Sequence, residues 1–172
     1  NGLGADCFVI LWCEGKMYGL NASGPAPKSL SVAALKDRGF EKIPSYGVEP
    51  IDVPGAVAGW MTLHERFGKL PLEEVMAPAI RYAEEGYPVT PNISRLWQEA
   101  FENYSKYRDR PEFQGWYDTF APNNTWLKPG EMFRCPDMAK TLKEIAATKG
   151  ESFYRGAIAE KIDAFSRSTT AS

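Results

Sequence analysis

Few residues in this chain are of types that do chemistry, and they are scattered. His64 is the only histidine. No catalytic triad or imidazole metal site can be assembled on it unless partners come from outside the chain. It shares a helical-period stripe with Val57, Trp60 and Met61, the position of a core or boundary residue. Cys7, Cys13 and Cys135 lack the short pair spacings of zinc sites and read as packing thiols. Glu73-Glu74 and Glu84-Glu85 are adjacent pairs that diverge on a helix, whereas a carboxyl dyad needs convergent groups. They read as solvated faces. Thr169 and Thr170 invite comparison with a threonine nucleophile. The opening NGLGAD lacks the spacing and strand–turn–helix context of a phosphate-binding loop. What remains is the turn NASGPAP, Asn21 to Pro27. Its Asn21 and Ser23 could line a pocket for a weakly charged group, or could simply stabilise their own turn.

The elements that would position these residues follow from periodicity. Phe8–Cys13 and Lys16–Asn21 read as a β-hairpin about Glu14-Gly15. The first strand is apolar on both faces, which predicts a central place in a sheet covered on both sides. Ser31 should cap a short helix ending at Gly39, and Phe40–Asp52 is irregular. Two helices follow, one beginning about Pro54 and stopping at Gly68, the next running from Pro71 to Gly86. Pro78 lies inside the second and predicts a kink or break near Val75–Ala77. A third helix covers Pro91–Arg108 and a fourth Pro136–Lys149; a last one begins over Ala157–Phe165 after a short link at Ser152–Arg155. Arg108–Pro122, with its many aromatics, reads as a loop packed over helices. The fold class is α+β, an N-terminal β-hairpin followed by a mainly helical region.

Composition narrows the function. The chain has 172 residues, 44% of them hydrophobic, enough to bury a core within one domain or part of one. A net charge of −2 gives no basic field for nucleic acid. No apolar run reaches the roughly 18–20 residues of a membrane-spanning helix. The first residue is Asn, within a glycine-rich turn, which reads as a piece of a longer polypeptide. Four N-x-S/T triplets, at Asn21, Asn92, Asn103 and Asn123, establish no secretory route, and the compartment stays open. No metal or organic cofactor is indicated.

Three long stretches carry more than periodicity. VPGAVAGW, LHERFGKLPLEEVMAPAIRYAEEGYPV and GESFYRGAIAEKI resemble, in order, the large chain of the gamma-glutamyltranspeptidase family. Gly130, Phe133, Pro136, Ala139, Thr141 and Leu142 match a further signature, with Met138 in place of the usual Leu. Gly-Ala-Asp before Cys7-Phe8 is closer to the form of the cephalosporin acylase-like and oxamate amidohydrolase-like relatives. The resemblance covers Asn1 to about Ile162. It implies an N-terminal nucleophile hydrolase of αββα architecture, cut from a precursor into two chains. It also implies that the Thr nucleophile lies on a small chain, the expected partner, well beyond Thr169 and Thr170. On this reading residues 1–27 form a core hairpin and pocket turn, and 28–172 form helical layers. The family grips its substrate carboxylate with an Arg in the pocket turn. Here Ser23 occupies the transpeptidase Arg position, and Pro25 the one used by acylase-like relatives. Neutral Asn21 and Ser23 replace only part of a guanidinium's strength, which shifts expectation from transfer toward hydrolysis. The alternative is a non-catalytic helical interaction domain with a sealed core. A small-molecule binder using the NASGPAP turn is a further possibility, and would show ligand-dependent stabilisation without turnover.

Overall fold

The computed structural model describes residues 2–170, leaving Asn1, Ala171 and Ser172 outside the description. Strands β1 (Cys7–Cys13) and β2 (Lys16–Ala22) pair antiparallel, with Phe8 opposite Asn21 and Trp12 opposite Met17. Glu14 and Gly15 both have positive φ, 50° and 75°, the hairpin turn whose twist suits the flanking strands. Eight α-helices follow among the described residues: α1 (Val32–Asp37), α2 (Ala56–Phe67), α3 (Leu72–Glu85), α4 (Pro91–Tyr104), α5 (Pro111–Phe120), α6 (Pro136–Thr148), α7 (Glu151–Arg155) and α8 (Ala157–Thr170). A two-residue ladder joins β3 (Tyr87–Pro88) to β4 (Met132–Phe133), between α3 and α4 on one side and just before α6 on the other.

The hairpin lies on α2, with Tyr18 edge-on to Phe67 at 4.9 Å and the Arg66 guanidinium over the Tyr18 ring. Only one face is covered. Phe8, Ile10, Trp12 and Met17 on the other face are 66%, 83%, 71% and 71% exposed. The double cover expected for β1 is therefore not supplied by the described residues, because α2 packs on one side of the sheet and leaves these four side chains exposed on the other.

Behind α2 lies an aliphatic core. Val57 of α2, Leu72 and Met76 of α3, Leu142, Ile145 and Ala146 of α6, Phe153 of α7 and Ile158 of α8 form one buried cluster. The α3–α6 contact holds it together. Helix α3 runs through Pro78 without the expected break. One missing N–H costs a single intrahelical bond, and the inward stripe of Leu72, Met76 and Ala83 keeps the turns on either side within one continuous helix.

Three further expectations are corrected. Pro54 precedes the N-cap Gly55 rather than lying in the first turn of α2. Arg108–Pro122 contains α5, not an irregular loop. Its Phe113, Trp116, Tyr117 and Phe120 recur at helical steps and pack against Trp97, Phe101 and Tyr104 of α4. Aromatic residues and Gly115 have weak helix propensity, so tertiary packing makes this helix. The short link at Ser152–Arg155 is the helix α7, and α8 continues past Phe165 to Thr170. The stop after α6 is made by two left-handed residues, Lys149 and Gly150.

Candidate functional site

The turn after β2 leaves the sheet beside the N-terminus of α2, and the two frame an open cleft of about 340 Å³. Asn21, Ser23, Gly24 and Pro25 form one wall; Val53, Pro54, Gly55 and Ala58 form the other, and Tyr154 closes the end. The walls meet at glycines. A Cβ on Gly24 would overlap the Val53 carbonyl, and one on Gly55 would overlap the Ala22 carbonyl. Only glycine lets backbone approach backbone this closely. The Val53 N–H donates to the Pro25 carbonyl at 3.0 Å, and the Ala56 N–H donates to the Ala5 carbonyl at 2.9 Å. The VPGAVAGW motif is thus the seat on which the hairpin end rests.

Both pocket residues expected from sequence lie in this cleft, and they bond each other. The Ser23 N–H and Oγ–H donate to Asn21 Oδ1 at 2.9 and 2.8 Å. The turn is therefore stabilised by its own side chains, while the Asn21 amide NH2 and the Ser23 hydroxyl oxygen keep hydrogen-bonding capacity on two exposed residues. Asn21 shares the bare face of the hairpin with Phe8.

The electrostatics of the cleft are neutral to acidic. No Lys or Arg is among the described residues that line it. Asp6 Oδ1 accepts from the Gly24 N–H at 3.4 Å. Asp52 stands beside Asp6; burial, then the Asp6 charge and their mutual hydrogen bond, raise its carboxyl above the ordinary range. The Tyr154 hydroxyl accepts from the Ala58 N–H at 2.9 Å and donates to the Pro54 carbonyl at 2.7 Å. Burial pushes this phenol up, against the opposing pull of the Ala58 N–H, and it stays protonated at neutral pH.

The other candidates lie away from the cleft. His64 Nε2 donates to the Leu70 carbonyl at 2.8 Å, tying the end of α2 to the connection before α3. Cys7, Cys13 and Cys135 are free thiols, all half-buried. Thr169 is built into α8, its hydroxyl bonded to the Phe165 and Ser166 carbonyls, so it presents no free α-amine. Of Thr170 the backbone alone is described, as the last residue of α8. Sequence reasoning missed Asp6, Asp52 and Tyr154. Tyr154 stood in one of the quoted motifs, but nothing local links it to a residue 100 positions earlier.

The gamma-glutamyltranspeptidase family profile matches residues 1–170. The chain belongs to the gamma-glutamyltranspeptidase family. It is 34% identical over 161 residues to the glutathione hydrolase proenzyme of Pseudomonas aeruginosa, covering 92% of this chain and 27% of that protein. It is 34% identical over 169 residues to the oxamate amidohydrolase proenzyme of Klebsiella pneumoniae, covering 94% and 30%. Among solved structures, the cephalosporin acylase from Bacillus halodurans superposes with a TM-score of 0.92 at 48% identity, over 96% of this chain and 31% of that one. The gamma-glutamyltranspeptidase from Pseudomonas nitroreducens gives 0.82 at 32%, over 98% and 48%. The chain thus spans under a third of the curated relatives named here. Its α+β arrangement, hairpin first and helices after, is that of a family portion.

Proposed function

We propose that this chain is a large-chain portion of a gamma-glutamyltransferase-like amide hydrolase, and that its Asn21–Pro25 turn forms one wall of the acyl pocket. The observation that carries the proposal is the family match over residues 1–170, and it is supported by the cleft that the turn, the VPGAVAGW seat and Tyr154 share. The complete protein would be an αββα hydrolase, and it would be made as a proenzyme, the word that both named curated relatives carry in their names. The exposed face of Phe8, Ile10, Trp12 and Met17 is then an inner sheet face covered by the rest of the polypeptide. A small chain of the same precursor would bring the Thr nucleophile, its α-amine acting as base. Attack on an amide carbonyl gives an acyl-enzyme, which passes to water or to an amine.

In this scheme the present residues do not react; they hold and select. The Asn21 NH2 donors and the Ser23 oxygen would contact an acyl group near the turn. With no guanidinium there, a carboxylate-bearing gamma-glutamyl donor loses its strongest partner, so hydrolysis of less charged amides is favoured over gamma-glutamyl transfer. An independent helical interaction domain predicts a sealed core, and the bare hairpin face runs against it. The test is to express the full precursor, measure intact masses and N-terminal sequences, and assay an amide panel. A second chain beginning with Thr, with hydrolysis exceeding transfer, is expected. A single uncleaved chain without amidase activity would overturn the enzyme reading, and efficient gamma-glutamyl transfer to a dipeptide would overturn the substrate preference.

A further inference from the structure

Helix α2 begins without a side-chain cap. Its N-cap is Gly55, which makes no capping hydrogen bond of its own. A Ser, Thr, Asp or Asn would normally accept the orphan N–H of the second or third helical residue from this position. None fits, because any Cβ at Gly55 overlaps the Ala22 carbonyl and comes 3.0 Å from the Gly24 nitrogen. The third helical residue is Ala58, and its N–H is taken by the Tyr154 hydroxyl, 96 residues away in sequence. The same hydroxyl donates to the Pro54 carbonyl, gripping the backbone on both sides of Gly55.

We infer that the Tyr154 hydroxyl is a positioning group for the acyl-pocket wall, acting as the cap that Gly55 cannot carry and thereby holding Ser23–Pro25 in register. This rests on the reading of the cleft as an acyl pocket. The mechanical path is short. Pro54 follows Val53, whose N–H is bonded to the Pro25 carbonyl and whose own carbonyl fills the space beside Gly24. Gly24 adjoins Ser23, which is bonded to Asn21. Displacing Pro54 moves the seat on which the turn rests. Helix α7 makes the grip firm: Phe153 is locked in the aliphatic core and stacks edge-on against Tyr154 at 5.1 Å.

The test uses the full-length proenzyme with Tyr154→Phe, which keeps the ring and removes the hydroxyl. Ile145→Val, in the core and away from the cleft, serves as a control for simple loss of stability. Tyr154→Phe is expected to raise KM for the acyl donor about fivefold while kcat stays within about twofold, the size of one lost hydrogen bond. Amide exchange at Val53 should quicken, and Ile145→Val should change neither readout. An unchanged KM, an unchanged Val53 exchange rate, or an equal KM rise in Ile145→Val overturns the inference. If the wild-type proenzyme hydrolyses no amide, the functional reading fails and the pocket assignment falls with it; Val53 exchange then decides alone whether the hydroxyl holds the turn.

Discussion

Replacing Gly59 by Ala tests how closely α2 lies against the hairpin, and Gly115→Ala in α5 supplies the comparison. Both glycines are helical. In a neutral helix each substitution should gain about 1 kcal/mol through propensity alone. The surroundings differ. A Cβ at Gly115 meets nothing within 4 Å, whereas one at Gly59 stands 2.8 Å from the Ala22 Cβ, 3.4 Å from the Cys7 Cβ and 3.6 Å from its Sγ. Carbon atoms rest about 3.5–4.0 Å apart, so helix and strand must separate by roughly an ångström. Neighbouring contacts resist this, because Gly55 is already seated against the Ala22 carbonyl. Overpacking of this kind costs about 1–3 kcal/mol, which cancels or outweighs the propensity gain. Gly115→Ala should therefore stabilise by about 1 kcal/mol, while Gly59→Ala is neutral to about 2 kcal/mol destabilising. Urea unfolding followed by tryptophan fluorescence reads the difference, and in thermal scans each 1 kcal/mol is about 2–4 °C at this size. Ala22→Gly added to Gly59→Ala should recover the propensity gain, giving a coupling of about 1 kcal/mol or more. Equal stabilisation by the two single variants, with no coupling to Ala22, would refute the close approach of α2 to β2.

Other perturbations give distinct outcomes. The raised Asp52 carboxyl binds its proton more tightly folded than unfolded, so its contribution is fullest below the ordinary carboxylate range and is lost as pH rises through the raised value. Asp52→Asn should thus stabilise at neutral pH, with the advantage fading in acid; a pH-independent difference in urea midpoint would count against the Asp6–Asp52 contact. Ser23→Arg in the full precursor puts a guanidinium into the turn and should raise kcat/KM for a carboxylate-bearing donor relative to a neutral one by about tenfold or more. No change in that ratio would remove Ser23 from the pocket. Ile10→Asp alters a side chain 83% exposed here, so the stability of this chain alone should shift by at most about 0.5 kcal/mol. The same change in the full precursor should prevent recovery of active enzyme, and wild-type activity there would mean the hairpin face stays bare.

Much of the architecture was legible in local sequence. The hairpin about Glu14-Gly15, the Ser31 cap (which accepts the Ala34 N–H at 3.1 Å), and the helices α2, α3, α4 and α6 all follow from turn residues, caps and apolar spacing. Such signals act within a few residues, so a linear reading captures them. Helix α5 is not legible locally, because its stripe of Phe113, Trp116, Tyr117 and Phe120 sits amid charges and a glycine that resemble a loop. Its stability comes from ring contacts with α4, from Tyr104–Phe113 to Trp97–Phe120. Pro78 does not break its helix, since burial of Leu72, Met76 and Ala83 outweighs one lost hydrogen bond.

The sequence by itself determined the family, through long ordered motifs, and the α+β class, through the change from strand alternation to helical period. It also pointed to Asn21 and Ser23 and to the missing guanidinium, because residue type alone decides charge. Only the tertiary structure decided how the motifs meet. Gly55 and Gly24 permit backbone contacts that no spacing rule reveals, and Tyr154 reaches back to Pro54 and Ala58 across about a hundred residues. Asp6 and Asp52 likewise meet only once the hairpin is seated. Capping and turn formation are local events, whereas convergence of distant groups on one cleft depends on how the packed elements are placed.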